Sequence, residues 1–177
     1  MPGPVFKAGD RVALHTVERE DLDVFARARN DPDVRIPLAI DAPQSQDAIE
    51  EFYEETISAK ESVHLLAVVD GEPVGATALF DADPSSGAGD LAYWVLPEYQ
   101  GDGYGTEALS LLLEYAFEEL RMHRVQADVV ATNDASRGLL ESLQFTREGR
   151  FRDHEFQDGE HVDVLRYGLL AEEWRNA

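Results

Sequence analysis

Hydrophobic and polar positions along the chain alternate between the two-residue period of strands and the 3.6-residue period of helices. The two-residue period predicts strands at 11–15, 63–69, 74–80, 90–96, 124–130, 145–155 and 162–169. Helical spacing predicts helices at 18–30, at 45–59, from the end of the glycine loop (101–105) to about 121, and at 134–143. Segments 34–43 and 83–89 are expected to be loops. The 177 residues contain no repeat or linker, so one domain spanning 1–177 is expected.

A glycine loop lies between the 90–96 strand and the apolar helix that follows it. Free backbone N–H groups at the positive end of a helix dipole favour a phosphate-bearing ligand. A mononucleotide P-loop would need Gly-Lys at the helix start, but Gly105 precedes Thr106 and the only lysines are Lys7 and Lys60. A dinucleotide fingerprint would need a third glycine where Thr106 stands. The P-loop interpretation therefore fails, and the dinucleotide interpretation is weak.

The remaining pattern, Gln-x-x-Gly-x-Gly over 100–105, resembles the pyrophosphate loop of the GNAT superfamily of acetyl-CoA-dependent N-acetyltransferases. The RimJ/RimL-type ribosomal-protein acetyltransferases are especially similar. Further segments resemble that family in the same order: 90–96 (its acidic-x-Gly-Tyr-Trp strand, with Ala92 for the glycine), 133–136 (Asn-x-x-Ser), 145–149 (Gly-Phe-x-x-Glu-Gly, with Gln144 for its first glycine) and 167–174 (Tyr-x-Leu…Glu-Trp). The resemblance implies an α/β (α+β) domain: a mixed central sheet of about seven strands, splayed in the middle between the 90–96 and 124–130 strands, with helices on both faces.

The composition adds a strong negative charge, since 36 acidic and 15 basic residues give a net charge of −21. The acidic residues are spread along the chain, which favours adaptation to molar salt, where the Debye length is about 3 Å, over attraction to a polycationic partner such as a basic ribosomal-protein tail. Nucleic acid is disfavoured because it requires a basic footprint. The sequence has no cysteine, and no apolar run approaches membrane-helix length, so a cytoplasmic enzyme without membrane attachment is the simplest interpretation.

The resemblance assigns the coenzyme contacts. Backbone N–H groups of the loop would hold the pyrophosphate of acetyl-CoA, an N–H near the strand end would face the thioester carbonyl, and Asn133 would contact the pantetheine amide. The implied cofactor-binding residues are Trp94, Val95, Leu96, Gln100, Gly101, Asp102, Gly103, Tyr104, Gly105, Thr106, Asn133 and Ser136. Asp102 replaces a residue that is often basic in the family, and its carboxylate would repel a pyrophosphate.

Acetyl transfer also needs a proton donor for the thiolate and an acceptor for the amine proton. Many relatives use a tyrosine at the place of Leu140, so the resemblance leaves Ser136 as the acid. Glu155, Asp90 or water would be the base. No metal is expected, because His154, His161 and their acidic neighbours (Asp153 and Asp163) lack zinc-type spacing.

The acceptor of the acetyl group is open at this stage. A protein or peptide N-terminal α-amino group is the leading prediction, because its pKa of about 7.7–8.0 lies closer to neutrality than that of lysine. A small amine (an amino acid, a polyamine or an antibiotic) and a catalytically silent acyl-CoA-binding module are the alternatives. A homodimer is compatible with the resemblance.

Overall fold

The structure is a computed structural model that describes residues 2–176. One mixed sheet carries strands in the order β1-β2-β3-β4-β5-β6-β8-β7. Neighbouring strands are antiparallel except β5 and β6, which are parallel. The strands are β1 (Val5–Ala8), β2 (Ala13–Thr16), β3 (Val63–Val69), β4 (Glu72–Asp83), β5 (Ala88–Val95), β6 (Arg124–Val130), β7 (Thr146–Gln157) and β8 (Glu160–Leu170).

Helices occupy the connections between these strands. They are α1 (Leu22–Asn30), α2 (Pro32–Arg35), α3 (Gln46–Phe52), α4 (Tyr104–Glu114), α5 (Asp134–Ser142) and α6 (Ala171–Arg175), and wider π-type turns extend α3 through Tyr53–Ile57 and α4 through Tyr115–Glu119. Side-chain caps start three of them, since Asp31, Ser45 and Asn133 each accept a backbone N–H of the first turn. Among residues 2–176, no helix combines the length and the hydrophobicity needed to cross a membrane.

The predicted mixed sheet with helices on both faces is confirmed, with differences at the N-terminal edge. The sheet has eight strands. The additional one, β1, is an edge strand whose side chains are mostly exposed, so it has no buried alternation to reveal it. The predicted 11–15 strand is β2, which begins two residues later and ends one residue later, and the 34–43 segment expected to be a loop begins inside a short helix, α2. That helix exists because Asp31 caps it and Pro32 occupies its first position.

Two hydrophobic layers enclose the sheet. One face packs against α4 and α5, with Leu109, Phe117 and Tyr167 fully buried there. The other face packs against α1 and α3, where Phe25 and Ile49 are buried. The helices thus pack against the central strands from both sides.

The parallel pairing of β5 with β6 is short. It comprises Ala88 with Arg124, Gly89 with Val125, and Asp90 with Gln126, and it stops there. The side-chain amide of Gln126 donates to both oxygens of Asp90, at 3.1 and 3.2 Å, at the last paired position. Beyond it the strands separate, so the predicted splay is present.

Candidate active site

A cavity of about 500 Å³ lies in the splay. It is called the splay cavity here and is bounded by 91–95 of β5, 127–129 of β6, the start of α4 and the start of α5. Most of the residues predicted to bind a coenzyme line it: Trp94, Val95, Gln100, Gly101, Gly103, Tyr104, Gly105, Thr106, Asn133 and Ser136. Leu96 and Asp102 do not. Leu96 is buried in the core, and Asp102 has an exposed side chain.

The glycine loop at one end of this cavity has the backbone geometry of an anion site. Gly101 and Gly103 have φ angles of +88° and +82°, in the left-handed region that favours glycine. Gly103 is the residue before the first turn of α4, and no side chain caps that end. The N–H groups of Tyr104, Gly105 and Thr106 therefore lie at an open helix N-terminus. This loop fits a diphosphate.

Arg11 stabilises the loop from outside, a contact that joins residues far apart in the sequence. Its Nη1 donates to the carbonyl of Asp102 at 3.0 Å, and its Nε donates to Glu107 at 3.1 Å. Burial acts to raise the pKa of Glu107, but hydrogen bonds from the backbone N–H groups of Arg11 and Val12 and from the guanidinium outweigh it, so the pKa is lowered. Arg11 therefore places a cation beside the loop, close to Asp102, whose carboxylate was predicted to repel a pyrophosphate.

The backbone N–H groups at the end of β5 alternate between the neighbouring strand β4 and the splay. The N–H of Leu96 donates to the carbonyl of Val74 on β4, at 2.9 Å. Trp94 lies opposite Ala76 in the same register, so its N–H also points to β4, because antiparallel pairs alternate in hydrogen bonding. The N–H groups of Tyr93 and Val95 point the other way, to the unpaired edge of β5. The prediction was one N–H near the strand end, and among 94–96 the N–H of Val95 is the one directed toward the splay.

Side-chain hydrogen bonds to the backbone fix the chain on both sides of the splay cavity. The amide nitrogen of Gln100 donates to the carbonyl of Val95, at 2.9 Å, which ties the loop to the end of β5. Across the cavity, Oδ1 of Asn133 accepts the N–H of Ser136 at 3.0 Å, which is a helix cap. The NH₂ group of Asn133 donates to none of the described residues and is available to a ligand amide.

Ser136 has a partner that the sequence did not reveal. The hydroxyl of Tyr93 lies 2.7 Å from Oγ of Ser136, inside the splay cavity. Burial raises the pKa of Tyr93 to about 12, and the hydrogen bond with Ser136 opposes this only in part. Tyr93 is therefore a neutral hydroxyl at neutral pH. The alternation of Tyr93 and Trp94 along a strand was the only hint, because it sends one side chain to each face.

The two candidate bases lie outside the cavity walls. Asp90 sits at the end of the β5–β6 pairing, where burial raises its pKa and the bonds from Gln126 act against the rise. Glu155 is half-buried on the edge strand β7. Two residues later, Gln157 donates to the carbonyl of Ile36 at 2.8 Å, which places this end of β7 against the segment beside Pro37 and Leu38 of the splay cavity.

A second cavity of about 800 Å³ lies against the other side of β5. It is called the aromatic cavity here, because Phe25, Phe52 and Phe80 line it. The two cavities share four residues: Leu38, Ala92, Tyr93 and Trp94.

Charged and polar groups line the aromatic cavity as well: Arg29, Glu55, Glu61, His64 and Asp81. Burial lowers the pKa of His64 to about 4, so its ring is neutral at neutral pH, and its Nε2 has no hydrogen-bond partner among the described residues. Within residues 2–176, no three His, Cys, Asp or Glu side chains lie together as a metal site would require.

Comparison with known proteins agrees with this geometry. Residues 11–146 match the acetyltransferase (GNAT) domain family. The chain is 30% identical over 170 residues to the uncharacterized N-acetyltransferase p20 of Bacillus licheniformis, covering 93% of this chain and 96% of that protein. It is 36% identical over 105 residues to the putative ribosomal N-acetyltransferase YdaF of Bacillus subtilis, covering 59% of this chain and 57% of that protein.

The fold also matches a solved structure, the spermidine N-acetyltransferase of Vibrio cholerae in complex with CoA and spermine. The TM-score is 0.88 at 23% identity, with 95% of this chain and 100% of that chain covered. At this identity the likeness shows the shared fold. The match over 11–146 and the full-length relative together show that the chain belongs to the GNAT family and is an acetyl-CoA-dependent N-acetyltransferase.

Proposed function

We propose that acetyl-CoA binds in the splay cavity and that a primary amine reaches its thioester from the aromatic cavity. The observation that carries this proposal is that the two cavities meet at Ala92, Tyr93 and Trp94, beside the Tyr93–Ser136 pair. The N–H groups of the 101–106 loop hold the diphosphate at the start of α4. The NH₂ of Asn133 contacts the pantetheine arm.

Each residue at this junction has its own role in the proposed reaction. The amine nitrogen attacks the carbonyl carbon, and the N–H of Val95 donates to the carbonyl oxygen as it gains charge. When the carbon–sulfur bond breaks, Ser136 gives its proton to the thiolate. The hydroxyl of Tyr93 orients Ser136 and supplies the replacing proton, since it is protonated at neutral pH. Tyr93 also lines the aromatic cavity, and through the water there it regains the proton that the amine released.

The base is assigned to Glu155. Both oxygens of Asp90 accept hydrogen bonds from the side-chain amide of Gln126 at the base of the splay. Glu155 has no such partner among the described side chains, and its strand end contacts the segment at Ile36. Water in the open aromatic cavity carries the proton from the amine to this carboxylate.

The volume of the aromatic cavity favours a small amine as the acceptor. A volume of about 800 Å³ lies within the ordinary range of small-molecule sites. The spermidine acetyltransferases among the relatives act on small amines by their names, and one of them, from Vibrio cholerae, is 24% identical over 168 residues.

A peptide N-terminus is the second candidate. It is supported by the 36% identity to the putative ribosomal N-acetyltransferase and by the RimJ/RimL-type motifs. In this case the first residues of the peptide would enter the aromatic cavity, with the rest of the peptide outside.

The experiment measures thiol release from acetyl-CoA with a panel of small amines and N-terminal peptides, in molar KCl. Release with either class, reduced at least a hundredfold in kcat by S136A, supports the proposal. S58A is the control, because Ser58 is exposed, lines neither cavity, and its hydroxyl likewise donates to a backbone carbonyl of its own helical segment, that of Glu54. Coenzyme binding by calorimetry without release for any amine would instead indicate a silent binding module.

A further inference from the structure

Arg29 lies on the last turn of α1 and lines the aromatic cavity. Its guanidinium stacks on Phe52, with Cζ 4.1 Å from the ring centroid. Its Nε donates to the side-chain oxygen of Gln44, at 3.1 Å. The two terminal nitrogens donate to none of the residues in 2–176. The stacking and the Nε bond thus fix the plane of the guanidinium and leave its outer edge free.

Most other arginines of this acidic chain are in ion pairs: Arg11–Glu107, Arg19–Glu54, Arg27–Glu98, Arg124–Glu148, Arg137–Asp134, Arg150–Asp163, Arg166–Asp128 and Arg175–Glu118. Arg29 is half-buried and pairs with no carboxylate among the described residues, although 36 acidic residues are available in the chain. Burial lowers its pKa, which reflects the lost hydration of an uncompensated cation. A carboxylate supplied from outside would restore that lost stabilisation.

The free edge of a guanidinium matches a carboxylate, because two parallel N–H groups meet two oxygens. We propose that the acceptor is a small zwitterion, an amine that also carries a carboxylate. Arg29 binds the carboxylate, and the three carboxylates of the same cavity, Glu55, Glu61 and Asp81, attract the ammonium group that reaches the junction at Tyr93 and Trp94. This inference rests on the proposed function and names the substrate class of the same site. The unpartnered Nε2 of neutral His64, in the same cavity, offers a further hydrogen bond to such an acceptor.

The aromatic wall indicates how far apart the two groups of the acceptor are. From Arg29 the wall runs through Phe52 and Phe25 to Trp94, with ring centroids 6.5 Å apart for the first pair and 5.5 Å for the second. The amine and the carboxylate of an α-amino acid are too close together to span this row of rings. An ω-amino acid or a dipeptide-sized molecule fits, and its methylene groups would lie against the rings.

The test compares ω-amino acids of four to eight carbons with their primary amides and with diamines of equal length, at constant ionic strength. We expect KM for at least one acid to be tenfold or more below that of its amide in the unaltered enzyme. R29M keeps the long side chain over Phe52 and removes the charge, so the ratio of KM for the acid to KM for its amide should rise from about 0.1 or below to within twofold of one. KM for acetyl-CoA should not change.

A control variant and two distinct outcomes separate the role of Arg29 from the broader proposal that the protein acetylates amines. R27M removes a charge from an exposed position of the same helix and should leave the ratio unaltered. Amides and diamines used as well as the acids would overturn the role of Arg29 and leave amine acetylation intact. Absence of thiol release with every amine and peptide would overturn the acetyl-transfer proposal itself. The acid-to-amide ratio of the unaltered enzyme decides the matter even if R29M does not fold.

Discussion

The hydrogen bond between Tyr93 and Ser136 gives the sharpest test of the proposed chemistry. Y93F removes one oxygen and keeps the ring that packs against the core. The hydroxyl pair is 2.7 Å apart and neutral, since burial holds the pKa of Tyr93 at about 12. A neutral hydrogen bond contributes about 0.5–1.5 kcal/mol net, so Y93F should cost about 1 kcal/mol of folding stability.

The expected loss in rate is larger than that hydrogen bond alone would cause. Without Tyr93, Ser136 keeps its proton but loses its orientation and its resupply. We expect kcat to fall about tenfold to a hundredfold in Y93F, or about 1.4–2.7 kcal/mol of activation free energy. S136A removes the proton donor itself and should cost at least as much. KM for acetyl-CoA should stay within threefold in both variants, because the diphosphate loop is untouched.

A double-mutant cycle with thiol-release kinetics distinguishes coupled action from separate packing effects. If Tyr93 acts through Ser136, Y93F should change kcat by less than twofold when S136A is already present. Equal losses in both backgrounds would refute the pairing, and so would a Y93F enzyme with unaltered kcat. Because Tyr93 ionises only near pH 12, its removal should not create or abolish any limb of the rate profile between pH 6 and 10.

Three other perturbations test the site and the fold. G101A forces an alanine to φ +88° with no neighbour within 4 Å, and G71A does the same at φ +85° in the β3–β4 hairpin. Both should lose about 1–2 kcal/mol of stability, but only G101A should raise KM for acetyl-CoA, and a similar rise in G71A would implicate global strain. E155Q should lower kcat/KM for an α-amine at pH 7, with a deficit that shrinks above about pH 8, where the free amine predominates; a deficit constant across pH would indicate a structural role. Arg124 holds the pKa of Glu148 below its ordinary value. That ion pair stabilises the fold above the unfolded pKa of about 4.3 and is lost as pH falls through the folded one, so urea unfolding should show a flatter acid decline in E148Q, and parallel curves would contradict the assignment.

Local features of this chain were predictable from its sequence. The bounds 63–69 and 124–130 agree with β3 and β6, because buried side chains recur along both strands. The glycine loop was predictable for a similar reason, since the φ angles of Gly101 and Gly103 and the start of α4 depend on neighbouring residues.

Contacts between distant segments were not predictable. Tyr93 and Ser136 are 43 positions apart, and Arg11 is 91 positions from Asp102. Strand pairing and helix packing decide whether such side chains meet, and neither is encoded in a local spacing. Which backbone N–H faces the splay, that of Val95 or those of Trp94 and Leu96, depends on the register against β4, and the pattern of a single strand does not contain that register.

The short pairing of β5 with β6 joins two parts of the sheet, with five strands on one side and three on the other. A pantetheine chain lying between them, with its amide groups against the unpaired edge of β5, would supply hydrogen bonds that β6 does not make there. Coenzyme binding would then hold the two parts of the sheet together, as well as filling the splay cavity. The amide protons of Tyr93 and Val95, which face that cavity, would exchange with solvent more slowly once it is occupied, and the enzyme would meet its amine in a stiffer form than the one it has alone.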